Sequence, residues 1–214
     1  MYVAPQLDKS WLLSEQRKLH TRSRAEPGYV FRKLWGIVTD ARSLRLAVAR
    51  VASNRGKRTA GVDGITVRAI VRDGVDAFVE QLRAELRSGA YRPSPVRRVL
   101  IPKHGQLGKF RPLGIPTVKD RVVQAAMKSI MEPIFEADFF PTSYGFRPGK
   151  SAHGALEHLR LLLKPAKAGP DSVYRLPYQW AIEGDIKGCF DNIDHHGLMI
   201  RVRKRIGADW SSHS

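Results

Sequence analysis

The chain has 214 residues, enough for one ample core, or for one domain and part of a second. Its 43% hydrophobic and 27% charged residues exclude a disordered chain. The 37 Lys+Arg against 20 Asp+Glu give a net charge of +17, which calls for a polyanionic partner, nucleic acid first and an anionic membrane second.

A lone Cys189 excludes an internal disulfide, and no Cys/His cluster has zinc spacing. No apolar run reaches membrane-spanning length, and the opening MYVAPQLDKSW lacks the basic and apolar regions of a secretion signal. The expectation is a soluble, unexported, cytoplasmic protein that does not enter a membrane.

Residues 10–24 read as a polar, basic helix with a weak apolar stripe of Trp11, Leu12 and Leu19. Its Arg17, Lys18, Arg22 and Arg24 make either a phosphate-contacting arm or a solvated face. Pro27-Gly28 breaks the chain. Asp40 then caps a helix whose Leu44, Ala47, Val48 and Val51 form one apolar stripe, and the glycine-spaced turn KRTAGVDGIT follows. Residues 77–88 are a second helix, with Phe78, Leu82 and Leu86 inside and Gly89 as its stop.

Residues 96–101 and 110–115 read as a β-hairpin turning at 104–108, from which Arg97, Arg98, Lys103, Lys109 and Arg111 project. Such cations suit a triphosphate, and they also suit an edge strand guarded against aggregation. Asp120 reads as the cap of a helix over 121–131 striped by Val123, Met127, Ile130 and Met131, with Pro133 bending or ending it. The aromatic, basic loop around Tyr144, Phe146 and Arg147 precedes a helix capped by Ser151, a seat for a phosphate and a stacked base or simply a turn. Residues 164–177 have the composition of a surface connection.

In WAIEGDIKGCFDNIDH, residues 180–195, alternation predicts a half-buried strand that delivers Asp185 near its end. A carboxylate there suits a hard cation, although an isolated Asp at a strand end is more often a cap or a surface charge. Asp194 caps a last helix, with Leu198, Val202 and Ile206 inside and Arg201, Arg203, Lys204 and Arg205 largely outside.

GDIKGCFDNIDH resembles the catalytic strand and turn of reverse transcriptases encoded by bacterial group II introns. AGVDGIT, the run from VLIPK through GKFRPLGIPTVKDRVVQ, and PTSYGFRPGKSAHGAL resemble further blocks of the same family. The resemblance covers about residues 26–207. It implies an α+β fold, the fingers and partial palm of a right-hand polymerase, helix-rich with a β-hairpin and a palm strand. Residues 1–25 would be a basic extension, 26–164 the fingers, and 165–214 a linker and the start of the palm.

The resemblance makes Asp185 the catalytic metal ligand for Mg²⁺, with the Ile186 carbonyl as a second oxygen. It makes Arg111 the triphosphate clamp, seconded by Lys103 and Lys109, and sets Phe190 against the sugar 2′ position, although Phe190 is equally a core residue by type. Tyr144 and Arg147, with the N-terminal cations, would meet template or intron RNA. The implied activity is Mg-dependent RNA-directed DNA synthesis on RNA, a DNA primer and deoxynucleoside triphosphates, with a maturase role.

The family's second carboxylate pair lies in a Tyr-Ala-Asp-Asp hairpin, and no adjacent Asp-Asp occurs in the 214 residues. The chain therefore reads as an incomplete fragment, inactive alone, with a second polypeptide as one way for the palm to be completed. The competing readings are a non-catalytic, maturase-like RNA-binding splicing factor and an inert remnant.

Overall fold

The computed structural model describes residues 2–167, 174, 175, 177, 178 and 180–207. They fall into two compact units, one made of Met1–Ala137 with Val202–Ser214, the other of Asp138–Arg201.

The first unit opens with α1, Gln6–Ala25, followed by α2, Leu34–Val38, and α3, Ala41–Ser53. A 3₁₀ turn, Arg55–Arg58, leads through the glycine-spaced loop to α4, Val67–Asp73, and α5, Val75–Arg87. The antiparallel strands β1, Arg97–Pro102, and β2, Phe110–Ile115, then precede α6, Val118–Glu136.

The core forms where α1 and α3 pack on α6 and on each other, with α5 packed against α3. Leu44, Val48, Val79, Leu82, Val122, Ile130 and Ile134 are buried in it. Asp40 caps α3 as its position predicts, its carboxylate accepting from the Arg42 backbone at 2.9 Å.

α1 packs by hydrogen bonds more than by apolar burial. Pro133 lies inside α6 and has no N–H to give to the Ser129 carbonyl. Gln16 Nε2 donates to that carbonyl instead, at 2.8 Å. One and two turns further along α1, His20 Nδ1 lies 3.0 Å from the Pro133 carbonyl and Ser23 Oγ donates to that of Ile134 at 2.8 Å. Proline thus bends the ladder's needs toward α1, which answers them with a polar stripe.

Asp120 departs from its expected role. The cap of α6 is Thr117, whose hydroxyl accepts from the Asp120 N–H at 3.1 Å, and the helix begins three residues earlier than predicted. The Asp120 side chain is only 3% exposed and accepts from the Tyr91 hydroxyl and from Thr117 Oγ1, both at 2.6 Å, and from the Ser94 N–H at 3.2 Å. Burial and this carboxylate push the Tyr91 phenol pKa well up.

The second unit contains α7, Ala152–Leu162, the short strands β3, Ala166–Lys167, and β4, Tyr174–Arg175, a 3₁₀ turn Phe190–Asn192, and most of α8, His195–Arg203. Ser151 and Asp194 cap α7 and α8 as expected, each accepting backbone N–H groups at 3.0–3.1 Å.

The palm strand is a correction: the described residues of 180–186 lie outside any strand and are exposed, Ile182 completely. Alternation alone does not hold a strand; a neighbour must supply the ladder, and none of the described residues pairs with it.

Arg205 is also corrected. It is 6% exposed instead of solvated, because α8 ends at Arg203 and the chain turns into the first unit. There Nη1 donates to the carbonyls of Pro27 at 2.5 Å and Tyr29 at 3.1 Å, Nη2 donates to Ser23 Oγ, and Ile206 bridges to Phe31. Among the described residues no helix is long and apolar enough to cross a membrane.

Two tests follow from these packings. A Cβ on Gly61 would stand 2.6 Å from the Thr117 Cα and 2.7 Å from its N, so Gly61→Ala should cost about 1–3 kcal/mol in a urea titration. An unchanged midpoint would mean that this approach is not tight.

The second test concerns Asp40, whose carboxyl pKa is held below its ordinary value by the Arg42 side chain, at 2.8–2.9 Å. A depressed folded pKa stabilises above the unfolded value of about 3.9 and loses that contribution as pH falls through the folded value. Asp40→Asn should lower the thermal midpoint at neutral pH, and the gap to the parent should close in acid.

Candidate nucleic-acid site

The β-hairpin gathers the cations of the first unit. Arg97 pairs with Ile115, Val99 with Leu113 and Ile101 with Arg111, and the Lys103 N–H donates to the Lys109 carbonyl at 2.8 Å just beyond the strands. Opposed residues share a face and alternate residues return to it. The register therefore puts Lys103, Lys109 and Arg111 on one side of the hairpin tip, with Arg97 on the same side at its base. Arg98 lies on the other side.

Gly105 and Gly108, at φ of +72° and +71°, supply the left-handed positions that the tip turn requires. All four cations on the shared face are exposed, and among the described residues none has an ion-pair partner. Arg97 was not singled out as a site residue, although the parity of 97, 103, 109 and 111 was available in the sequence.

The hairpin buries little of its own surface, so its bearing is set at its foot. Asp120 holds that foot through the Ser94 N–H ahead of β1 and the Thr117 hydroxyl after β2. Gly61 of the AGVDGIT loop packs directly on Thr117, which ties that loop to the same node.

On α1, Arg17, Lys18, Arg22 and Arg24 are exposed. Lys18 pairs with Glu15 at 2.7 Å, while Arg22 pairs with Glu26 at 3.1 Å and lies 4.3 Å over the Tyr29 ring. Exposed pairs of this kind are weak and leave the cations open to exchange for phosphate.

Within the second unit, Tyr144 and Arg147 serve their own loop. The Tyr144 hydroxyl meets His158 Nδ1 at 3.0 Å, and Arg147 Nη1 donates to the carbonyls of Phe140 and Ser143, each at 2.7 Å. The aromatic ring that this stapled loop presents is Phe146, fully exposed and at φ +56°. Phe146 belongs to the aromatic, basic loop that the sequence offers as a seat for a phosphate and a stacked base.

Asp185, Ile186 and Phe190 are all exposed on the 180–192 segment, where Asn192 Nδ2 donates to the Gly188 carbonyl at 2.8 Å. Glu183 is exposed on the same segment, and both Asp194 oxygens are taken up by the start of α8. Among the described residues no three His, Cys, Asp or Glu side chains converge to hold a metal ion. Magnesium is commonly held by one or two carboxylates together with substrate phosphates, so Asp185 and the Ile186 carbonyl are the oxygen donors this segment offers. What the arrangement does provide is a row of unneutralised cations on a fixed hairpin, suited to polyphosphate or phosphodiester.

Residues 101–210 match the family described as reverse transcriptase (RNA-dependent DNA polymerase). Protein YkfC of Escherichia coli (strain K12) is 41% identical over 196 residues, 91% of this chain and 49% of that protein. Group II intron-encoded protein LtrA of Lactococcus lactis subsp. cremoris is 36% identical over 181 residues, 83% of this chain and 27% of that protein. Nuclear intron maturase 1, mitochondrial, of Arabidopsis thaliana is 35% identical over 89 residues, 42% of this chain and 11% of that protein. The chain thus spans about half the length of the first of these and about a quarter of the second. With more than half of its residues inside the family match, and with relatives among intron-encoded proteins and maturases, the chain belongs to the reverse transcriptase family, of the group II intron kind.

Proposed function

We propose that the chain provides the fingers and the first palm segment of a group II intron RNA-directed DNA polymerase that acts in the cytoplasm on intron RNA. The single observation that carries this reading is the shared hairpin face of Lys103, Lys109 and Arg111, three cations without ion-pair partners among the described residues, all three within the family match. Residues 1–25 would form a basic extension, 26–164 the fingers, and 165–214 a linker and the start of the palm.

Arg111 would grip the triphosphate of an incoming deoxynucleotide with its planar fork, with Lys103 and Lys109 adding point charges. Asp185 and the Ile186 carbonyl would be ligands to Mg²⁺ in a site completed by further carboxylates, on the same or a second polypeptide. That ion would supply charge stabilisation at the reacting phosphate. Phe190, exposed here, would face C2′ and exclude a hydroxyl, while the α1 cations, Tyr144 and Arg147 would border the RNA path.

A second reading, a non-catalytic maturase-like RNA-binding factor, is favoured by one observation: the hairpin cations Lys103, Lys109 and Arg111 are exposed and share one face. It needs the cations alone.

In a completed polymerase, Asp185→Ala should abolish DNA synthesis and leave RNA affinity within about twofold; sustained synthesis would remove Asp185 from the chemistry. In the same assay Arg111→Ala should weaken apparent deoxynucleotide affinity roughly 10- to 100-fold, the scale of a lost hydrogen bond to a charged group. A fall in turnover with deoxynucleotide KM unchanged would contradict the clamp. The 214-residue chain itself should bind single-stranded RNA with affinity that drops steeply as salt rises. Salt-independent binding, or none, would count against both readings.

A further inference from the structure

The two edges of the hairpin are not alike, and the difference lies in the backbone. An antiparallel pair alternates between opposed residues that exchange hydrogen bonds and opposed residues that do not. The bond from the Lys103 N–H to the Lys109 carbonyl fixes that alternation: Arg97, Val99 and Ile101 bond to β2, while Arg98, Leu100 and Pro102 stand opposite Gly114, Pro112 and Phe110 without bonds between them. Pro112 agrees, since it has no N–H to give and falls in an unbonded pair.

Residues in unbonded pairs turn their backbone groups away from the partner strand. On β1 these are the N–H groups of Arg98 and Leu100 and the carbonyls of Arg98, Leu100 and Pro102. Among the described residues no other backbone segment bonds to them. On β2 the middle of the corresponding edge is Pro112, which offers no donor and blunts it. β1 has its proline only at its last residue, so its edge is open from Arg98 onward.

The side chains along β1 define what that edge can take. Arg97 and Arg98 come first, one on each face, both exposed and, among the described residues, without an ion-pair partner. Val99, Leu100 and Ile101 follow, with Leu100 54% exposed. A second copy of β1 would bring its own arginines on a chain of net charge +17, which disfavours self-pairing. A nucleic-acid strand would suit the arginines, yet its phosphates gain nothing from outward carbonyls or from Leu100. An extended peptide supplies donors and acceptors at strand spacing, and acidic side chains complete the match in charge.

We propose that β1 accepts an extended segment of a partner protein as a third strand, with two adjacent acids opposite Arg97 and Arg98 and three apolar residues opposite Val99, Leu100 and Ile101. The added strand lies in the plane of the sheet, so the face carrying Lys103, Lys109 and Arg111 stays open. This docking is independent of the polymerase reading and of RNA binding.

The test uses the 214-residue chain and two peptides, Ser-Ile-Val-Ile-Glu-Glu-Ser and its reverse, which cover the antiparallel and parallel orientations. Amide hydrogen exchange is followed by NMR. In the free chain the Arg98 and Leu100 amides should exchange faster than those of Val99 and Ile101. Saturation with one of the two peptides should slow Arg98 and Leu100 and leave Val99 and Ile101 nearly unchanged. N-methylation of two alternate peptide nitrogens on the bonding edge should weaken binding about tenfold or more, the scale of two lost hydrogen bonds. Lysine in place of both glutamates should weaken it by roughly the same factor.

Leu100→Pro removes an outward donor and no bond to β2, so it should abolish peptide binding. Should it disturb the hairpin, seen as lost protection of Val99 and Ile101, the N-methylated peptide on the parent chain decides alone. Four results overturn the proposal. Arg98 and Leu100 already protected in the free chain would mean that the edge is covered from within, and protection that grows with protein concentration would mean a second copy. Protection by single-stranded RNA and by neither peptide would assign the edge to nucleic acid, and equal binding of the N-methylated peptide would reduce the contact to charge.

Discussion

The buried Asp120 carboxylate is the constraint from which the bearing of the hairpin follows. Taking a carboxylate out of water is costly unless donors replace its hydration, and here the Tyr91 hydroxyl, the Thr117 hydroxyl and the Ser94 N–H do so. Each donor belongs to a segment that must be placed relative to α6: the exit from α5, the approach to β1, and the junction after β2. The hairpin itself is too exposed to be held by apolar contact, so its direction is inherited from this foot. The AGVDGIT loop joins the same node, since Gly61 admits the Thr117 backbone where any side chain would collide. A polar knot at the top of α6 thus does for the basic hairpin what a hydrophobic core does for the helices.

At the other end of α6 the logic is similar and the cause is proline. Pro133 leaves the Ser129 carbonyl without its helical donor, and the carbonyls of Pro133 and Ile134 lie in the last turn, where intrahelical donors run out. Gln16, His20 and Ser23 lie on one face of α1 and reach those three oxygens. Ser23 also accepts from Arg205, so one hydroxyl links α6 to the residues that return after α8. The basic face of α1 is therefore presented by a helix whose opposite face is fixed by directional bonds, and its exposed arginines sit on a firm support.

These two seams explain what could be read in advance and what could not. The helices α3 and α5, the hairpin and the caps of α7 and α8 were legible because each rests on local signals: an apolar stripe, a turn glycine, an Asp or Ser at the right place. The family resemblance, carried by long motifs, was legible for the same reason. α1 read as weakly amphipathic because its packing stripe is polar, and hydropathy does not see hydrogen bonds. Asp120 read as a cap because the Thr three residues earlier does that work and frees the carboxylate for distant partners. Arg205 read as solvated because its carbonyl partners at Pro27 and Tyr29 lie nearly the whole chain away. α4 went unseen because a seven-residue helix has no room for a periodic pattern.

The expected palm strand and the exposed leucines of α7 belong to one physical case. Leu156 and Leu159 stand three residues apart on α7, yet they are exposed, as are Trp180, Ile182 and Ile186 on the segment that carries Asp185. A stripe or an alternation states only which face would be buried; burial requires a second surface, which the described residues of this unit do not furnish. Catalysis by converging carboxylates depends on such burial, because side chains on unpaired backbone are not held to the sub-ångström tolerance that the chemistry requires. Electrostatic binding is less exacting, since a cation on a stapled turn or a tied hairpin attracts phosphate over several ångströms with no partner strand in place. The first unit, with its closed core, its polar seams and its unneutralised cations, already meets that lesser condition. Exposed, unneutralised cations are thus what the described residues of the first unit supply directly, whereas no three metal-holding side chains converge among the described residues.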